Sequence, residues 1–105
     1  MHYAGERMKE TKLEQYLVKK IKKKNGLCLK WVSPGTKGVP DRIVIMPDGK
    51  TYFVEMKQNK GRIDPLQKYM YKQFTQRGHK VYVLWTKEHV NEFVNKVGDR
   101  SGDKI

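Results

Sequence analysis

Cysteine is almost missing from this chain. Cys28 stands alone among 105 residues, which excludes an internal disulfide framework and any cysteine-rich zinc site. Acidic residues are also scarce, 11 against 23 lysines and arginines, for a formal net charge of +12. No apolar run approaches the roughly 20 residues that cross a bilayer. The first residues, Met1 to Arg7, lack the apolar core of a secretory signal. The expectation is a soluble, cytoplasmic protein with no membrane partner. What is present argues for a folded body. Hydrophobic residues at 37% and aromatics at 10% are too many for a basic tail without a core, and the length suits one domain. An excess of positive charge on so small a body points to a polyanion, most simply nucleic acid, with an anionic membrane surface as the weaker alternative.

The hydrophobic spacing orders the elements. Residues 1–10 are polar and expected to fray, 11–97 to form the domain, and 98–105 to trail as a disordered tail. Leu13, Tyr16, Leu17 and Ile21 recur at helical spacing, so 11–24 reads as a helix ended by Asn25-Gly26. Residues 27–33 read as a strand, and 34–40, with two prolines and two glycines, as a loop. Residues 41–46 and 51–57 read as a hairpin around Pro47-Asp48-Gly49-Lys50. Asp64 suits a helix N-cap and Pro65 the first helical position, with Leu66, Tyr69, Met70, Gln73 and Phe74 on one side and Gly78 at the end. Residues 80–85 form a largely apolar strand, and Thr86 caps a helix carrying Val90, Phe93, Val94 and Val97. The order is α-β-β-β-α-β-α, an α/β fold. A mixed four-stranded sheet flanked by helices is its natural packing, the last strand pairing in parallel after its crossover.

The hairpin turn decides where two carboxylates point. Pro47-Asp48-Gly49 fits a three-residue loop with Gly49 in the left-handed position. Counting outward then pairs Ile45 with Thr51, Ile43 with Phe53, and Asp41 with Glu55. Opposed residues share a face, and Lys57 shares it too. A two-residue loop would instead throw Asp41 and Glu55 onto opposite faces. Two facing carboxylates repel unless a cation separates them. A hard divalent ion such as Mg2+, which takes carboxylate, water and phosphate oxygens, resolves that. Lys57 then stands where it can orient or deprotonate water, or steady charge on a phosphate. The plainer alternative is a solvated sheet face with an ion-paired lysine, set against the apolar company of Tyr52, Phe53, Val54 and Met56.

The literal Pro40-Asp41, the hairpin and Glu55-Met56-Lys57 resemble the PD-(D/E)XK nuclease signature. Gly38-Val39-Pro40-Asp41-Arg42, the same Glu-x-Lys and Gln67 in the next helix resemble, more narrowly, the VRR-NUC domain, over about residues 11–95. The resemblance implies a restriction-endonuclease-like core that cleaves DNA phosphodiesters with Mg2+ or Mn2+. It implies Asp41 and Glu55 as metal carboxylates, the Met56 carbonyl as a further ligand, Lys57 as the catalytic lysine and Gln67 as its support. Glu14 would be an acidic residue reaching the metal or its water from the first helix. Standalone members, of phage and bacterial type, resemble homodimers that act on branched DNA such as Holliday junctions.

Several residues carry two roles. Gln67 stands at capping-box distance from Asp64 and either caps the helix or supports the site. Glu14 otherwise pairs with surface lysines. Lys19, Lys20 and Lys23 form a solvated helix face that would also meet DNA phosphates. Ser33, Thr36 and Lys37 offer donors in the loop before Asp41, and Lys60 and Arg62 follow the Glu-x-Lys. Arg42 points to the sheet face opposite Asp41 and is structural or phosphate-binding. Tyr71 lies off the apolar side of its helix, where it would stack or pack at a dimer interface. Cys28 is expected as a small buried hydrophobe. Two rivals to the nuclease remain: a non-catalytic nucleic-acid-binding module and a sequence-specific restriction endonuclease.

Overall fold

The computed structural model describes residues 10–58 and 62–102. Helix α1 (Glu10–Lys23) leads into strands β1 (Leu27–Lys30), β2 (Arg42–Ile45) and β3 (Thr51–Met56), then helix α2 (Pro65–Gln76), strand β4 (Val81–Leu84) and helix α3 (Lys87–Gly102). The strands form one sheet in the order β1-β2-β3-β4. The first two pairings are antiparallel and β3–β4 is parallel. This is the expected mixed four-stranded sheet with three helices.

Each element ends for a local reason. Asn25 takes the left-handed conformation, φ 65°, after α1. Gly26 N–H donates to Ile21 O at 3.0 Å and Asn25 N–H to Lys22 O at 2.9 Å, the paired bonds that satisfy the last carbonyls of a helix. The left-handed residue is thus the asparagine rather than the glycine beside it. At the hairpin, Met46 N–H donates to Lys50 O and Gly49 N–H to Met46 O, each at 2.9 Å. Gly49, at φ 87°, supplies the left-handed residue of a three-residue loop. That loop sets Ile45 against Thr51 and Ile43 against Phe53. Thr86 Oγ1 caps α3 by accepting from His89 N–H at 3.1 Å. Residues 98–102, whose composition suggests tail, instead continue α3 to Gly102. The aliphatic stem of Lys24 lies against Gly98 there. Residues 1–9, 59–61 and 103–105 lie outside the described residues, and Lys60 with them.

The alternation of each strand divides the sheet. Val44, Met46, Tyr52, Val54, Met56 and Leu84 face α1 and α3 and join Leu13, Leu17, Ile21, Val90, Phe93, Val94 and Val97 in the core. Cys28 shares that side and is half-buried. Its thiol is pushed up to about 11, chiefly by burial; Arg42 opposes the rise, while Asp41 and Glu14 add to it. The other side carries Ile43, Phe53 and Glu55 and is covered by α2. Phe53 meets Phe74 edge-on with centroids 5.0 Å apart, and Trp31 stands 6.0 Å from both rings. None of the residues of α2 is fully buried. Leu66 and Tyr69, expected on its packed side, are 54% and 59% exposed.

Candidate active site

The hairpin register carries Asp41 and Glu55 to the same place. Asp41 lies one residue before β2, so the pairing of Arg42 with Val54 continues to Asp41 opposite Glu55. The Asp41 carboxylate accepts the backbone N–H of Met56 at 3.3 Å and 3.4 Å, one distance to each oxygen. It thereby extends the contact between the two strands beyond their backbone ladder. The preceding loop is fixed against α2. Gly38 has φ +92°, and a Cβ there would come within 2.6 Å of Leu66 O. Only glycine fits so close a backbone approach at a positive φ. Pro40, fully buried, then delivers Asp41.

Glu55 is the single buried charged residue of the described core, 5% exposed. A carboxylate taken from water needs charge and hydrogen bonds to replace it. Oε2 has both: the Gln67 amide donates to it at 2.8 Å, and Lys57 Nζ lies 3.5 Å away. Oε1 is buried with no hydrogen-bond partner.

Gln67 bonds in both directions at once, to its helix cap and to Glu55. Its backbone N–H donates to Asp64 Oδ1 at 3.0 Å, and its side-chain oxygen accepts from Asp64 N–H at 3.2 Å. That capping box leaves the amide NH2 directed at Glu55. The amide orientation follows from the network, because Asp64 N–H needs an acceptor and Glu55 a donor. Helix α2 is therefore started and tied to the carboxylate by one side chain.

Tyr71 joins this group, and the sequence reading missed it. It stands four residues after Gln67, on the same face of α2. Its hydroxyl oxygen is buried without a hydrogen-bond partner. Burial raises its pKa, and the neighbouring Glu55 carboxylate raises it further, with smaller contributions from Asp41 and Asp64. The i, i+4 spacing from Gln67 was the available signal.

Other expected residues stand elsewhere. Glu14 Oε1 is 3.4 Å from an Arg42 terminal nitrogen, so its partner is neither a lysine nor a site carboxylate. Arg42 also donates to Cys28 O at 3.5 Å and lies on the α1 side of the sheet. Among the described residues, no three of His, Cys, Asp and Glu gather as a metal-binding set. Asp41 and Glu55 are thus not joined by Glu14. Lys19, Lys20 and Lys23 belong to α1, the layer across the sheet from Glu55, where Lys20 Nζ sits 5.5 Å from the Tyr16 ring centre. Lys37, Thr36 and Arg62 are exposed and Ser33 is half-buried.

The chain as a whole is similar to known proteins. The sequence profile of the VRR-NUC domain matches residues 4–88. A protein of Acyrthosiphon pisum secondary endosymbiont phage 1, "Putative nuclease p44", is 40% identical over 77 residues, covering 73% of this chain and 83% of that one. A solved structure described as a VRR_NUC domain superposes with a TM-score of 0.76 at 30% identity, over 82% of this chain and 94% of that one. Sequence and fold agree over most of the chain's length, and the protein belongs to the VRR-NUC family of nuclease domains.

Proposed function

We propose that the protein is a metal-dependent endodeoxyribonuclease that hydrolyses phosphodiesters in branched DNA such as Holliday junctions, and that it works as a homodimer. The observation that carries this reading is Glu55: a buried carboxylate beside Lys57 and opposite Asp41, with one oxygen lacking any partner. That orphaned oxygen, a second carboxylate and a nearby backbone carbonyl suit a hard divalent cation. Asp41, Glu55 and the Met56 carbonyl would hold Mg2+, with Mn2+ as a substitute. Bound there, the ion would supply a more acidic water and neutralise charge on the phosphate.

The protein's own groups do the rest. Lys57 extends from the end of β3, where its backbone N–H donates to Leu84 O at 3.0 Å. Its ammonium neutralises Glu55 before substrate arrives, and it can shift to the phosphate or hold the attacking water. Gln67 anchors Glu55 through Oε2. Lys37 and Arg62 flank the site in sequence and are exposed to meet phosphates; Thr36 and Ser33 add donors, and the α1 lysines, with Lys60, add long-range attraction. Exposed Leu27, Leu29 and Val32, together with Leu66 and Tyr69, favour a second copy as partner. Two copies would present one site to each of two opposed strands.

The deciding experiment incubates the protein with duplex, flapped, nicked and four-way-junction DNA, with and without Mg2+, beside Glu55→Ala. Cleavage of the junction that requires both Mg2+ and Glu55 is the expected result. Binding without cleavage under every condition would leave the non-catalytic binding module in its place.

A further inference from the structure

Two buried polar atoms lack a hydrogen bond, the Tyr71 hydroxyl and Glu55 Oε1, and Glu55 is the carboxylate that acts most strongly on the Tyr71 phenol. A phenol is a donor whose hydrogen rotates freely, and a carboxylate oxygen is an acceptor with two lone pairs. One bond between them would satisfy both. The other oxygen of Glu55 is already engaged by Gln67 at 2.8 Å and approached by Lys57 at 3.5 Å. Tyr71 follows Gln67 by about one helical turn, so both side chains descend from the same face of α2.

We propose that Tyr71 is a positioning residue for Glu55, donating its hydroxyl to Oε1 while Gln67 donates to Oε2, so that α2 grips both oxygens of the carboxylate. This rests on the nuclease reading of the same site. Held only through Oε2, the carboxylate can turn about its Cγ–Cδ bond. Held through both oxygens, its plane is fixed, and the second lone pair of Oε1 stays available to a cation. A phenol is a hydrogen-bond donor at neutral pH without any help from its surroundings. Partners of this kind orient the groups that touch a metal, and their loss weakens metal binding by roughly 10–100-fold.

The test uses the full chain carrying Tyr71→Phe, which preserves the ring. Urea unfolding without metal is measured for the wild type, Tyr71→Phe, Glu55→Leu, which has no acceptor, and the double variant. A coupling of roughly tenfold in the unfolding equilibrium between the two positions is expected; no coupling overturns the bond. Mn2+ binding is followed by titration calorimetry with the metal alone, and Tyr71→Phe is expected to bind about tenfold more weakly. Junction cleavage should lose kcat with KM unchanged, as expected of a group acting on the reacting centre rather than on DNA affinity. Wild-type kcat and Mn2+ affinity in Tyr71→Phe would overturn the positioning role while leaving the nuclease intact. A wild-type protein that neither binds Mn2+ nor cuts would overturn the nuclease reading, and the unfolding cycle would still decide the bond.

Discussion

On the side of the sheet covered by α1 and α3, Leu17, Ile21, Val44, Val54 and Met56 are wholly enclosed. On the side covered by α2, the residue held below a tenth exposed is Glu55, and the helix itself buries no residue fully. One sheet thus carries a sealed apolar layer and a more loosely covered one, where the buried charge of Glu55 shares a side with the Phe53–Phe74 pair. The sealed layer removes apolar surface from water and supplies the fold's driving force. The other is closed less tightly, since every residue of α2 keeps some exposure. On the proposed reading, stability and chemistry fall on opposite faces, joined by the alternation of β2 and β3.

The division is broken most severely by Asp41→Asn, a change on the open side. Cleavage is expected to fall on the order of 1,000-fold, since about 4 kcal/mol of charge stabilisation is in play. The urea midpoint should hold or rise, because one of two facing carboxylates is gone while the amide oxygen still accepts Met56 N–H. Single-turnover cleavage and urea unfolding on the same preparation check both halves. The converse is Leu17→Ala on the sealed side. Leu17 is 0% exposed, so its truncation should cost about 2–5 kcal/mol in unfolding free energy. Any surviving folded fraction should cut at the wild-type rate.

Much of this was legible because it depends on neighbours in sequence. Pro47-Asp48-Gly49 fixes its own loop, the loop fixes the register, and the register places Asp41 opposite Glu55. Gln67 was legible as both cap and support, though not as both at once; the simultaneous use needs the distance from α2 to β3, which no local pattern encodes. Glu14 was beyond the sequence for the same reason. Its helix stripe says which way it leans, but the packing of α1 on the sheet decides that Arg42 is what it meets. Tyr71 was read as an aromatic and therefore as a packing residue, although its spacing from Gln67 put it on the site-facing side. Periodicity marked Leu66 and Tyr69 as an apolar face without saying whether the sheet beneath would cover them.

Gly38 lies in the loop before Asp41, against the start of α2, and Gly38→Ala separates conformation from contact. Gly49 has a similar positive φ, +87°, with nothing within 4 Å of an added Cβ. Gly49→Ala should therefore cost only the left-handed strain, about 1–2 kcal/mol. Gly38→Ala adds a 2.6 Å approach to Leu66 O, backbone that cannot swing aside as a side-chain tip would. Its thermal unfolding should show the larger loss, and junction cleavage should fall with it because Asp41 moves with the loop. Cleavage by Gly49→Ala should stay near wild type at temperatures where it is folded.

The smallest effect belongs to Leu66→Ala, and its smallness is informative. In the sealed layer a truncated leucine leaves a cavity, but Leu66 is 54% exposed and leaves none. Alanine also has the higher helix propensity. In dilute protein the unfolding free energy should therefore shift by less than about 0.5 kcal/mol, against the several expected at Leu17. If α2 meets a second copy through this face, the shift should grow with protein concentration, since the partner's contribution enters by mass action. Urea unfolding at two concentrations a hundredfold apart measures both terms. A concentration-independent shift near zero fits a monomer with an incompletely covered face. A shift that rises with concentration shows that the open side of the sheet is completed by another molecule.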